Sequence, residues 1–258
     1  GSSGSASLAV DRAQACELMA EAAANEAGAM LAASASAEAV AALIAEDTGV
    51  VVANDNSPTE VVLAGSEKAI EDFRQLLKGE GITSVRLPVA SAFHSSIVAG
   101  SCEPFHDFLA SVEWSDEGVE VYANTTAGTY PKKADEARRL LADQLASRVR
   151  FREMIQGMHA AGVTHFVEVG PGGVLTKLVG RCLDKGTHVA VSLDDKRAPG
   201  LRGLWRGLGK LAAAGVEMSL ADLADGYRLP EAPPEKKAHQ IMISGSNHEK
   251  PYPPENGN

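Results

Sequence analysis

Cysteine is scarce in these 258 residues, which contain only Cys16, Cys102 and Cys182. An odd number at wide spacing makes neither a disulfide framework nor a zinc site. The three read as buried thiols in a reducing cytoplasm. Positive charge is also in deficit, with 24 Lys and Arg against 34 Asp and Glu, a formal charge of -10. Such a chain repels phosphate backbones and anionic membrane surfaces, so neither nucleic acid nor membrane is expected as a partner. No apolar run is long enough to span a bilayer, and no signal-peptide pattern is present. His106, His159, His165, His188, His239 and His248 lack metal-ligand spacing, so no metal site is expected.

What is present is ordinary globular material. Hydrophobic residues make up 45% and charged residues 22%, enough for a sizeable core in one large domain or two smaller ones. Residues 1–7, opening Gly1-Ser-Ser-Gly-Ser5, read as a tag or linker. Residues 8–26 are Ala/Glu-rich and predict a helix that Gly28 ends. A strand at 29–34, a helix at 36–46 and a β-branched strand at 50–53 come next. The run Asn54-Asp-Asn-Ser-Pro58 has turn chemistry. A strand at 60–64, a helix capped by Ser66 and a strand at 82–90 complete a β-α-β-β-α-β order, that of a ferredoxin-like subdomain over 28–90. Beyond residue 91, helices are expected up to 109 and at 134–145, 151–161 and 199–214, with another from Val174. Strands are expected at 119–123, 164–169 and 188–193. That alternation predicts a parallel α/β layer. Residues 229–238 read as a linker, with a short strand at 240–244 and a loose, Pro-rich tail.

His94 is the first candidate for chemistry. It stands where a strand gives way to a helix, beside the hydroxyls of Ser91, Ser95 and Ser96, and such a junction can present an imidazole into a cleft. Its surroundings carry a family resemblance. Leu87-Pro-Val-Ala-Ser-Ala-Phe-His-Ser95 closely resembles the histidine motif of malonyl-CoA:acyl-carrier-protein transacylases and of synthase acyltransferase domains. The run VVANDNSPTEVVLAG, ending at Gly65, and FVEVGPGGVL, from Phe166 to Leu175, resemble two more motifs of that family, in the same order. The resemblance covers roughly residues 8 to 223. The trailing segment from Ser244 to Pro254 resembles, more weakly, the stretch downstream of this domain in polyunsaturated fatty acid and enediyne-type iterative synthases.

The resemblance implies an α/β fold: an incomplete α/β-hydrolase-like acyltransferase core at 8–27 and 91–223, the ferredoxin-like subdomain inserted at 28–90, and a linker and tail at 224–258. It implies ping-pong transfer of a malonyl-type acyl group from CoA, through a serine ester, to the phosphopantetheine thiol of an acyl carrier protein. No tightly bound cofactor is implied. The partners are the carrier protein and a neighbouring ketosynthase. His94 matches the base, and Gln144 matches the residue whose main-chain carbonyl orients it. Phe93 resembles the bulky residue associated with malonyl over branched groups. Ser91, Asn56 and Asn124 match substrate-lining positions, as does Asn54; turn capping is the competing account of Asn54 and Asn56. Gly170 to Gly173 reads as close backbone packing rather than a phosphate loop. Arg148, Arg150 and Arg152 suit CoA phosphates, an acidic carrier protein or simply a solvated helix start.

Three features depart from the family pattern. No Gly-x-Ser-x-Gly pentapeptide occurs in the sequence, so the usual strained elbow for a serine nucleophile is missing. The family's malonyl-gripping arginine has no counterpart on the expected first helix, where Ala20 falls and Arg12 comes too early. Glu60 and Ala64 replace a usual glutamine and serine. This chain alone is therefore expected to be inactive, and a non-catalytic scaffold module is the alternative.

Overall fold

The computed structural model describes residues 28–222, apart from 46, 90, 115–118, 197, 199 and 220. The chain divides into two units, residues 1–215 and 216–258, and the sheets and helices below belong to the first. The expected helix at 8–26 with Arg12 and Ala20, the linker at 229–238, the strand at 240–244 and the tail lie outside the described residues.

Alternation builds the first sheet. Strand β1 (Ala29–Ala33) pairs antiparallel with β3 (Glu60–Gly65) on one side and β4 (Ser84–Arg86) on the other, and β3 pairs with β2 (Val50–Ser57). The order is β2-β3-β1-β4. Ala29, Leu31, Ala33, Val61 and Leu63 point to one face, and Met30, Val62 and Ala64 to the other, as a period of two requires. The first face packs on α1 (Ala37–Ala41) and α2 (Glu67–Gly79). Ser36 and Ser66 cap these helices by accepting from the backbone N–H of Ala39 and Ala69, at 3.1 and 3.2 Å. Ile70, Phe73 and Leu77 form the buried stripe of α2, each worth about 1.5–3 kcal/mol when fully buried. The second face receives Ala92, Phe93 and Ile97 from the segment around His94.

Three expectations need correction. The strand expected at 82–90 is only β4, because its register with β1 ends at Arg86. Asn54, Asp55 and Asn56 are strand residues, not a turn; the reversal falls at Pro58 and Thr59. The strand continues because a distant segment pairs with it: Val149 N–H donates to Ala53 O, and Asp55 N–H to Val149 O, both at 2.8 Å. The expected 36–46 helix is α1 alone, since Leu43 and Ile44 already make tighter i to i−3 bonds.

A second layer comes after this sheet in the chain. A 3-10 turn (Ser96–Ser101) leads into α3 (Cys102–Ala110), which packs on α4 (Ala134–Asp143) through Phe105, Leu109 and Ala142. Between them the expected strand at 119–123 shrinks to β5 (Tyr122–Ala123), in a hairpin with β6 (Gly128–Thr129). Helix α5 (Phe151–Ala160) and α6 (Val174–Cys182) share a core of Phe151, Met154, Ile155, Leu178 and Val179. Strands β7 (His165–Glu168) and β8 (Val189–Ser192) pair in parallel. Helix α7 (Leu201–Ala213) lies against β8, where Gly207 allows close approach, while Gly203 does the same for the segment just after the strand. Among the described strands β7 and β8 form the one parallel pair, and among the described residues no helix is long and apolar enough to cross a membrane.

Candidate functional site

The turn holding His94 is built from small residues. Ala92 is fully buried, and a Cβ on Gly28 would lie 2.6 Å from the Ala92 methyl. Only glycine lets the chain enter β1 so close to this turn. The Ser95 hydroxyl donates to Ala92 O at 2.6 Å and accepts from Ile97 N–H at 3.3 Å, capping the 3-10 turn. Between them His94 adopts a φ of 60°, a left-handed conformation that costs a side-chain-bearing residue roughly 1–2 kcal/mol.

Two consecutive carbonyls offset that strain. Leu145 O accepts the His94 backbone N–H at 2.8 Å, and Gln144 O lies 2.9 Å from His94 Nδ1. A carbonyl oxygen only accepts, so Nδ1 carries the proton and Nε2 is left as the basic nitrogen. The Gln144 side chain is itself held: Oε1 accepts from the Thr125 hydroxyl at 2.8 Å, and Nε2 donates to Ser147 O at 3.1 Å. His94 and Gln144 are thus brought together across 50 positions. The resemblance found Gln144; Leu145, Thr125 and Ser147 have no signal in the sequence.

The other expected residues lie on several elements. Phe93 is half-buried against the second face of the sheet, and Ser91 is fully buried. Asn124 precedes Thr125; its backbone carbonyl accepts from Arg150 N–H at 3.0 Å. Its amide oxygen, like that of Asn54, is buried with no partner among the described residues. The Asn56 side-chain amide donates to Glu60 at 3.4 Å, and its backbone carbonyl accepts from the Cys182 thiol at 3.3 Å. Burial, the largest influence, and the nearby Asp55 charge push the Cys182 thiol up to about 11.

The arginines of the run pair with carboxylates of this chain. Arg148 Nη2 reaches Asp55 Oδ2 at 3.0 Å, and Arg152 reaches the same oxygen through Nε (3.2 Å) and Nη2 (2.9 Å). Arg152 also bonds Glu38 at 2.5 Å and lowers that carboxyl to about 2. Arg150 pairs with Glu153 and donates to Thr126 O at 3.1 Å. Arg148 and Arg152 thus join the four-stranded sheet to the second layer, while Arg150 stays within the second layer. Asp55, fully buried, was missed because it stands between two asparagines that read as a turn.

Glu168 of the Glu-Val-Gly-Pro-Gly motif caps α6. It accepts from the backbone N–H of Leu175 (3.1 Å) and Thr176 (2.8 Å) and from the Thr176 hydroxyl (2.7 Å). Burial alone would raise its pKa; these donors outweigh burial and hold the carboxyl below its usual range. The close packing expected of these glycines is not what they provide: a Cβ on Gly170 would meet nothing within 4 Å, whereas Gly172 takes a φ of 95° that favours glycine. Gly172 N–H donates to Asp194 O at 2.8 Å, and the Ser192 hydroxyl bonds Gly172 O. Among the described residues no group of three or more His, Cys, Asp or Glu could hold a metal ion.

Known proteins resemble the chain along the same lines. The profile of the acyl transferase domain family matches residues 5–217. A malonyl CoA-acyl carrier protein transacylase of Bacillus subtilis is 36% identical over 144 residues, 55% of this chain and 45% of that protein. A polyunsaturated fatty acid synthase component of Thraustochytrium is 35% identical over 144 residues, 55% of this chain and 5% of that much longer one. Among solved structures, the acyltransferase domain of an iterative polyketide synthase in enediyne biosynthesis superposes with a TM-score of 0.70 at 28% identity, covering 84% of this chain and 56% of that one. The matched stretch spans under half of the Bacillus transacylase.

Proposed function

The chain belongs to the acyl transferase domain family, and from that premise we propose that it is the His94-bearing part of a domain that moves a malonyl-type acyl group from CoA to the phosphopantetheine thiol of an acyl carrier protein. The observation that carries this reading is the 2.9 Å contact between His94 Nδ1 and Gln144 O, which leaves Nε2 free to move a proton. His94 Nε2 takes the proton of a serine hydroxyl as that oxygen attacks the thioester carbon. It then returns the proton to the departing CoA sulfur. In the second half-reaction it takes the proton of the carrier's thiol, which attacks the serine ester, and gives it back to the serine oxygen. Gln144 O stabilises the imidazolium formed at each stage, the task of a carboxylate in other triads.

Phe93 fills the space that an α-branch on the acyl group would need. Asn124, whose buried amide oxygen has no partner among the described residues, offers an acceptor to the substrate. Asn56, on β2, is a further proposed lining residue, and Ser91, wholly buried, shapes the turn from behind. The β1-α1-β2-β3-α2-β4 order with sheet order β2-β3-β1-β4 supports a ferredoxin-like subdomain over 28–90, inserted between core segments 8–27 and 91–223.

The serine is proposed to come from polypeptide outside these 258 residues, because the elbow pentapeptide is absent from them. That same absence favours a second reading, a non-catalytic module that holds a neighbouring ketosynthase. The two separate on intact mass. This chain alone, incubated with malonyl-CoA, is expected to gain no adduct. A complete domain carrying the elbow is expected to gain one malonyl group and pass it to holo carrier protein, with loss of transfer in His94→Ala. Full transfer by that variant overturns the enzyme reading, and a complete natural domain that never loads malonyl establishes the scaffold.

A further inference from the structure

We propose that Asp55 is a positioning residue for His94: its buried carboxylate, through Arg148 and Arg152, sets the segment that aims the Gln144 carbonyl at the imidazole. This rests on the reading of His94 as the base.

Asp55 is 0% exposed. One of its oxygens takes all three guanidinium contacts, at 2.9 to 3.2 Å; the other, Oδ1, is buried with no partner among the described residues. A buried ion pair adds little net stability, because desolvation consumes most of its attraction, but it is directional. Here it fixes where Arg148 stands. The backbone of Ala53 and of Asp55 itself is tied to the same segment by the two 2.8 Å bonds with Val149. Arg148 is next in sequence to Ser147, whose carbonyl holds the Gln144 side chain at 3.1 Å. The stretch from 144 to 150 is therefore one stiff piece. Its far end is bolted to Asp55, and its near end presents the carbonyls of Gln144 and Leu145 to His94. Loosening the far end lets the near end swing, and a shift of about an ångström at a catalytic group costs up to roughly 100-fold in rate.

The test uses Asp55→Asn, which keeps the shape and removes the charge, beside Glu38→Gln, which breaks only the outer Arg152 pair. In this chain, nitrogen NMR of the His94 ring reports which nitrogen bears the proton. The wild type is expected to hold it on Nδ1. Asp55→Asn is expected to shift the ring toward the Nε2-protonated form that a free imidazole prefers, and Glu38→Gln is expected to leave it unchanged. In a complete domain, Asp55→Asn is expected to lower kcat roughly 10- to 100-fold with KM for malonyl-CoA little changed. A folded Asp55→Asn with the wild-type tautomer overturns the proposal, whatever the activity shows. If Asp55→Asn does not fold, Arg148→Gln, at a side chain 40% exposed, answers the same question: a wild-type tautomer there also overturns it. Loss of base function is read separately from His94→Ala, so a failure of that reading does not mimic a failure of this one.

Discussion

At the scale of single residues, burial decides which groups react. Cys182 lies in the core with its thiol pushed up to about 11, burial first among the causes. Since the thiolate is the nucleophile, iodoacetamide at neutral pH is expected to leave Cys182 unmodified in the folded protein and to label it after denaturation, as peptide mass spectrometry will read. Glu168 makes a pH-dependent contribution. Its folded pKa is lowered by the donors of α6, so its stabilisation is present above the unfolded value of about 4.3 and is lost as pH falls through the folded value. Glu168→Ala is expected to cost about 1 kcal/mol near neutral pH, as for loss of a helix cap. Denaturant melts at pH 7 and pH 3 will show that gap closing in acid. His94 was legible as a hydroxyl-flanked residue at a strand-to-helix junction. Its partner was legible only by family resemblance, because no local pattern encodes contact across 50 positions. The Asp55 pairs, separated by 93 and 97 positions, were hidden for the same reason.

At the scale of elements, the sequence was read well wherever a period was long enough to count. Helix α2 shows its Ser66 cap openly, as expected, and buries a stripe of Ile70, Phe73 and Leu77. Strand β2 was read short, since asparagines favour turns locally and only the distant Val149 segment keeps them extended. The glycines of α7 give a sharp contrast. A Cβ at Gly203 would stand 2.5 Å from Ala198 O, whereas one at Gly209 meets nothing within 4 Å. Gly203→Ala is expected to destabilise by about 1–3 kcal/mol through overpacking. Gly209→Ala is expected to stabilise by up to about 1 kcal/mol through helix propensity alone. Thermal unfolding of the two variants, one substitution each on the same helix, separates packing from propensity.

At the scale of the whole molecule, β7 pairs only with β8 among the described residues, and the chain around it is unusually apolar. Val167, Val169, Val174 and Leu175 are 42%, 82%, 63% and 48% exposed. An open strand edge flanked by such residues invites association. Sedimentation velocity is expected to show concentration-dependent self-association that the double variant Val169→Lys, Val174→Glu reduces; a strictly monomeric wild type counts against it. The carbonyl contact to His94 has a consequence for how substitutions across the whole chain would read. A saturation scan replaces side chains, and every amino acid at position 144 brings the same C=O. Codon changes there can disturb the Thr125 and Ser147 bonds but cannot delete the group that faces the imidazole. If the proposed mechanism holds, the position would therefore score as permissive in a genetic map although its carbonyl is required. An ester bond in place of the 144–145 amide, which weakens that carbonyl as an acceptor without touching any side chain, is the substitution that would expose it.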